Sequence, residues 1–264
     1  MARAIVITSG KGGVGKSTLT ASLGRKLAQS GERTVLLDAD FGLNNLDVLL
    51  GIENSVVYDI IDVINNACRV SQALVEVNGI KNLFVLPSAH TYDQSKIDAQ
   101  SIKAVIGSLR ASYSYILIDC PAGIERGFHR AVSCADESIL VATPHLSSIR
   151  DGKIAVDLIK SYGLNKISLV VNRVRGDMEK SGETVTASEV ESALGIELLG
   201  VLPDDDNLGA ISSLSVFPPP SCRADRAMEM LVNKLRFGVG EIFNASARYE
   251  GLIGRLRRKF RKLG

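Results

Sequence analysis

Apolar residues in this chain gather into short unbroken runs separated by longer amphipathic stretches. Runs of four or five residues occur at 4–8, 34–38, 83–86, 115–119, 138–142, 167–171 and 198–202. Continuous apolar runs of that length suit strands covered on both faces, because neither side chain direction meets water. Between them the spacing changes: Leu19, Leu23, Lys26 and Leu27 open a helical pattern that stops near Gly31, and residues 154–162 and 224–237 repeat that behaviour. The alternation predicts an α/β chain whose mostly parallel, doubly wound sheet carries helices on both faces and binds ligands beyond the carboxyl ends of its strands.

The first strand runs directly into Gly10-Lys11-Gly12-Gly13-Val14-Gly15-Lys16-Ser17-Thr18. This fits the phosphate-loop pattern G-x-x-x-x-G-K-[ST], in the required order of strand, glycine loop and helix start. Backbone N–H groups from Gly10 to Thr18 would cradle phosphates, Lys16 would reach their terminal oxygens, and the Ser17 hydroxyl would ligate Mg²⁺. The chain is thus expected to be a P-loop NTPase. Lys11 is additional, and its natural use is to reach a phosphate held by a neighbouring subunit.

Acidic residues stand at two strand ends. Asp38 closes the second strand with Asp40 just beyond it, and Asp119 closes the run Tyr-Ile-Leu-Ile-Asp. Asp38 and Asp119 are candidates to hold Mg²⁺, directly or through water, and Asp40 to orient the attacking water. With 264 residues, one large domain is favoured over two small ones. The four cysteines, Cys68, Cys120, Cys134 and Cys222, are scattered, which argues for free thiols and against a zinc or iron–sulfur site. The N-terminal apolar run has the length of a strand, and no run nears the ~20 residues of a spanning helix, so a cytoplasmic chain is expected over most of its length.

Several motifs together resemble the MinD/ParA ATPases, and their MinD branch in particular. They are the loop from Lys11 to Thr18, Leu37-Asp38-Ala39-Asp40 with the following Gly42-Leu43-Asn44-Asn45-Leu46-Asp47, Ile118-Asp119-Cys120-Pro121-Ala122-Gly123-Ile124-Glu125, and Val171-Asn172-Arg173. The resemblance continues through Arg150-Asp151 and Gly200-Val201-Leu202-Pro203-Asp204-Asp205 to the chain's end. It implies an ATP- and Mg²⁺-dependent homodimer with slow hydrolysis, in which Lys11 contacts phosphate across the interface and joins Lys16, Asp40 and Asp119 in catalysis. Asn172, with Arg173 and Pro203, would surround the adenine; taken alone, Asn172 is also an ordinary strand-end turn residue. The resemblance further implies a MinC-like septum inhibitor and a MinE-like activator as partners, with the helix from Arg150-Asp151 contributing to their surface. His145 stands where these ATPases usually carry an acidic residue.

The last sixteen residues change the electrostatic picture. They hold six basic residues and one acidic, net +5, while the other 248 hold 25 basic and 28 acidic, net −3. On a helix, Tyr249, Leu252, Ile253, Leu256, Phe260 and Leu263 fall within about 100°, and Arg255, Arg257, Arg258, Lys259, Arg261 and Lys262 occupy the remaining circumference. Such a C-terminal amphipathic helix suits the headgroup plane of an anionic membrane. Apolar burial and lipid attraction nearly balance the entropy of ordering the segment, so one tail binds weakly and two tails in a dimer bind through effective concentration. The organisation expected is an ATPase domain over 1–243, a short linker at 244–248 and a membrane helix at 249–264, reversibly peripheral on the inner face of the cell membrane. A packing helix or a nucleic-acid patch would also use these residues, although no specific nucleic acid is expected. The ParA-type segregation ATPases and the flagellar-number regulators of the same superfamily are the alternatives.

Overall fold

The computed structural model describes residues 2–41, 45–88, 97–251 and 254. In chain order its elements are β1 (Arg3–Thr8), α1 (Lys16–Gln29), β2 (Thr34–Asp38), α2 (Asn45–Leu50), α3 (Ile60–Ile64), α4 (Val70–Ala73), β3 (Val75–Glu76), β4 (Leu83–Leu86), α5 (Ala99–Leu109) and β5 (Tyr115–Asp119). There follow α6 (Arg126–Ser133), β6 (Glu137–Ala142), α7 (Leu146–Ser161), β7 (Ile167–Val174), α8 (Gly176–Ser181), α9 (Ala187–Leu194), β8 (Glu197–Pro203), α10 (Asp206–Leu214) and α11 (Arg223–Phe237). Short 3₁₀ turns occupy Glu53–Ser55 and Ala247–Tyr249.

The strands form one sheet in the order β3-β4-β2-β5-β1-β6-β7-β8. All pairings are parallel except that of β3 with β4, where Val75 stands opposite Val85. Successive residues of β1 enter opposite cores: Ala4 and Val6 join the apolar layer under α3–α7 and α9, Ile5 and Ile7 the layer under α1, α2, α10 and α11. Burial on both faces is what makes the strands read as unbroken apolar runs. From β1 the chain works outward to one edge, returns at β5 and then builds β6, β7 and β8 on the other side of β1. The switch point of the winding therefore lies at the carboxyl end of β1, where the phosphate loop begins.

The seven anticipated strands are present, and β3 is an addition. Helix α7 begins at Leu146, eight residues before the apolar pattern at Ile154. The stretch anticipated as a linker is packed on the domain: Ala245 and Ser246 are buried, and Ser246 Oγ donates to Glu179 Oε2 at 2.6 Å. Tyr249 likewise departs from the expected membrane face, being buried to 3% exposure at the end of a 3₁₀ turn. The proposed membrane contacts Leu252, Ile253, Arg255, Leu256, Arg257, Arg258, Lys259, Phe260 and Leu263 lie outside the described residues. No helix among the described residues is long and apolar enough to cross a membrane.

Candidate functional site: the phosphate loop and its acidic floor

Helix α1 starts immediately after Gly15, whose φ of 97° is left-handed and suits glycine. No side chain caps this end and its first turn carries no acid, so the positive end of the helix faces the loop. Gly10 and Gly15 are also held by their neighbours. A methyl group on Gly10 would stand 2.1 Å from the Asp151 carbonyl oxygen, and one on Gly15 would stand 2.5 Å from Asn172 Nδ2. Gly13 turns the loop at φ 75°, and Gly12 leaves the loop 3.4 Å, at a hypothetical Cβ, from Ala122. Val14 is buried and anchors the loop in the apolar layer under α1.

The two lysines have opposite environments. Lys16 is 7% exposed, and its charge acts on the carboxylates of Asp40 and Asp119. Lys11 is exposed, with Nζ 3.5 Å from Ser147 Oγ on α7, while its carbonyl accepts a 2.6 Å bond from Ser9 Oγ.

Below Lys16 lies an acidic floor. Asp38 and Asp119 are cross-strand partners at the ends of β2 and β5, exposed by 2% and 1%. Burial, with the adjacent charge of Asp38, pushes the Asp119 carboxyl up from 3.8 to about 7, against the lowering influence of Ser17, Lys16 and Thr20. Asp38 accepts from the backbone N–H of Asp40 at 2.9 Å and of Leu46 at 3.2 Å, so it also shapes the turn after β2. Asp40 is half-buried; desolvation raises its pKa, and the field of Lys16 opposes this. Thr20, which the sequence reading missed, lies with its hydroxyl 3.0 Å from the Lys16 carbonyl and 3.3 Å from Asp119 Oδ1. Its signal was available: it is one helical turn past Lys16. A buried lysine whose charge acts on Asp40 and Asp119, and two buried carboxylates beside a serine hydroxyl, fit a phosphate with Mg²⁺, which takes few protein ligands and the rest from phosphate and water. Cys120, next to this floor, is buried with its thiol pushed up to about 12, too high for a nucleophile.

The residues expected to surround the adenine, Asn172, Arg173 and Pro203, do line one cavity, of about 240 Å³, together with Gly15, Thr18 and Asp204 among others. Arg173 adopts φ 58°, and Asn172 Oδ1 accepts its N–H at 2.9 Å. Asn172 Nδ2 donates to the Val14 carbonyl at 2.8 Å. The residue expected to read the adenine edge is therefore also a tie between β7 and the phosphate loop. His145, at the N-terminus of α7, is exposed and makes no side-chain cap.

Residues 5–214 match the family model described as the CobQ/CobB/MinD/ParA nucleotide binding domain. The septum site-determining protein MinD of Synechocystis is 45% identical over 208 residues, covering 79% of this chain and 78% of that protein. A chain of the MinC:MinD cell division protein complex of Aquifex aeolicus superposes with a TM-score of 0.83 at 36% identity, covering 91% of this chain and 97% of its own. MinD complexed with Mg-ADP from Pyrococcus horikoshii superposes at 0.79 with 28% identity, covering 90% and 97%. A buried lysine over an acidic floor, at the switch point of this sheet and within so broad a likeness, makes the chain a member of the CobQ/CobB/MinD/ParA nucleotide-binding family, in its MinD group.

Proposed function

We propose that the chain is an ATP-hydrolysing, ATP-dimerised switch that attaches reversibly to the inner face of the cell membrane and places the division septum. It recruits a MinC-like inhibitor when membrane-bound, and a MinE-like activator raises its slow hydrolysis. The observation that carries the reading is the contrast between the two loop lysines: Lys16 is buried over Asp119, while Lys11 stands exposed on the rim. This contrast supports a reading in which Lys16 serves the chain's own site and Lys11 reaches phosphate in a facing subunit. The similarity to a MinC:MinD complex and to septum site-determining proteins supports the partner and the pathway.

Within this reading, bound ATP with Mg²⁺ supplies the phosphoryl group and a cation that neutralises its oxygens. Lys16 and the N-terminus of α1 would hold the phosphates, and Ser17, Asp119 and Asp38 would hold the cation. Asp40, half-buried in the field of Lys16, positions the attacking water rather than acting as a strong base. Lys11 from the partner subunit completes the charge balance, so hydrolysis dissolves the dimer and releases both tails.

Sedimentation with anionic vesicles, under ATP or ADP, tests the switch. The full chain should pellet with ATP far more than with ADP, and a chain ending at Gly251, which keeps the buried Tyr249, should not. Equal pelleting in both nucleotides refutes the reading. Lys11→Ala should bind ATP normally yet lose ATP-driven dimerisation; loss of nucleotide affinity alone contradicts the cross-subunit role.

A further inference from the structure

Helix α8 follows directly from the strand that carries Asn172 and Arg173, and residues 245–250 are fastened to it by several contacts. At Gly176 the chains approach so closely that a methyl group would lie 2.1 Å from the Ala245 carbonyl oxygen. Gly176 has no positive φ, so it is required here by proximity and not by backbone conformation. The same Ala245 carbonyl accepts from Arg223 Nη2 at 3.0 Å, joining the segment to the start of α11. Glu179 accepts from Ser246 Oγ at 2.6 Å and from the Ala187 N–H at 3.1 Å, so one carboxylate ties the segment to α8 and α9 together. Lys180 pairs with Glu250 at 2.9 Å. Tyr249 is buried with the Arg248 guanidinium 4.7 Å above its ring, and Gly254 returns so close that a methyl there would lie 2.2 Å from the Tyr249 carbonyl carbon.

This anchorage adjoins the base cavity. Arg175, between Arg173 and α8, pairs with Asp177 at 2.9 Å and lies in the field of Asp204. Asp204 lines the cavity and donates its N–H to the Val174 carbonyl at 3.0 Å. The basic, apolar sequence of net charge +5 begins at Tyr249 itself.

We infer that α8 and residues 245–250 form a rigid root for the C-terminal tail, fixing its point of departure beside the base cavity. The inference rests on the membrane-switch reading for its consequence. A flexible tether would spread each tail through a large volume, whereas a fixed root makes the separation of the two tails a property of the dimer and keeps their effective concentration high. Gly176, Glu179 and Ser246 are positioning residues: none of them lines the cavity beside Asn172.

Gly176→Ala and the milder Ser246→Ala test this in the full chain, with Gly107→Ala, whose added methyl meets nothing within 4 Å, as control. Two readouts are taken: the rate of tryptic cleavage after Arg248, resolved by mass from cuts further along, and ATP-dependent affinity for anionic vesicles. Cleavage after Arg248 should be slow in the wild type and in the control, and at least tenfold faster in Gly176→Ala. Vesicle affinity should fall by about tenfold in that variant while ATP-driven dimerisation in solution persists. Fast cleavage after Arg248 in the wild type refutes the root. Released cleavage with unchanged vesicle affinity refutes its purpose. Slow wild-type cleavage without any ATP-dependent vesicle binding instead refutes the membrane reading, and the assigned purpose falls with it.

Discussion

Replacing Asn172 by alanine separates two roles that one side chain cannot fill to the same degree. Asn172 is buried and bridges two backbone groups: Nδ2 donates to the Val14 carbonyl at 2.8 Å, and Oδ1 accepts from the Arg173 N–H at 2.9 Å. Val14 is 4% exposed, so its carbonyl, once abandoned, loses about 1–3 kcal/mol of compensation. Arg173 is exposed, and its N–H can turn to water at smaller cost, but the residue holds φ 58°, a conformation costing about 1–2 kcal/mol without local support. The substitution should therefore destabilise the nucleotide-free protein by about 2–4 kcal/mol in urea denaturation, at unchanged slope. Because the lost bond tethers the phosphate loop, affinity for ATP and for ITP should fall by the same factor, these nucleotides differing at the purine 6-position. Asn172→Asp retains the acceptor but sets a carboxylate against the Val14 carbonyl, and should be at least as destabilising. Wild-type stability in Asn172→Ala, with ATP affinity reduced to that of ITP, would falsify the tie and make Asn172 a base reader alone.

Two further perturbations follow from the site. The folded chain retains on Asp119 a proton that the unfolded chain releases near 3.8, so stability without Mg²⁺ should fall as pH rises from about 4 to about 7, by up to ~1.4 kcal/mol per pH unit, and level off above. Asp119→Asn should abolish that slope and raise the thermal midpoint at pH 7.5; a level wild-type midpoint across the interval contradicts the assignment. Gly10→Ala forces a methyl group to 2.1 Å from the Asp151 carbonyl of α7, a backbone atom that cannot swing aside. It should cost about 1–3 kcal/mol of stability and, by displacing the loop, reduce ATP turnover more than tenfold, and turnover at the wild-type rate would show the contact to be harmless.

The parts of this fold legible in the sequence share a physical cause. Seven strands could be read because helices cover both faces of the sheet, leaving no polar alternation to blur the runs. β3 could not: Val75 and Glu76 form a strand only because β4 offers an antiparallel edge, a fact of the assembled sheet. The first turns of α7 were hidden for a different reason. Leu146 is 76% exposed there, so an apolar residue stands on the solvent side and breaks the helical pattern. At the site, the loop and its acids were legible because phosphate chemistry restricts residue types, whereas the grip of Asn172 on Val14 spans 158 positions and has no local signature.

Small residues misled most, and in a consistent direction. Asn244-Ala245-Ser246-Ala247-Arg248 has the composition of a linker, yet Ala245 and Ser246 are buried against Gly176 and Glu179. Glycine and alanine are ambiguous in sequence, since they serve both where the chain must bend and where two backbones must meet. The φ angle separates the two uses. Gly13 and Gly15 have positive φ and shape a turn, while Gly10 and Gly176 do not and are small because a carbonyl oxygen occupies the space of their missing side chains. The two contacts reach different partners, Gly10 meeting Asp151 of α7 and Gly176 meeting Ala245. The phosphate loop and residues 245–250 are thus each held by a backbone contact that leaves no room for an added methyl, and close packing of that kind fixes the position of both segments against the domain.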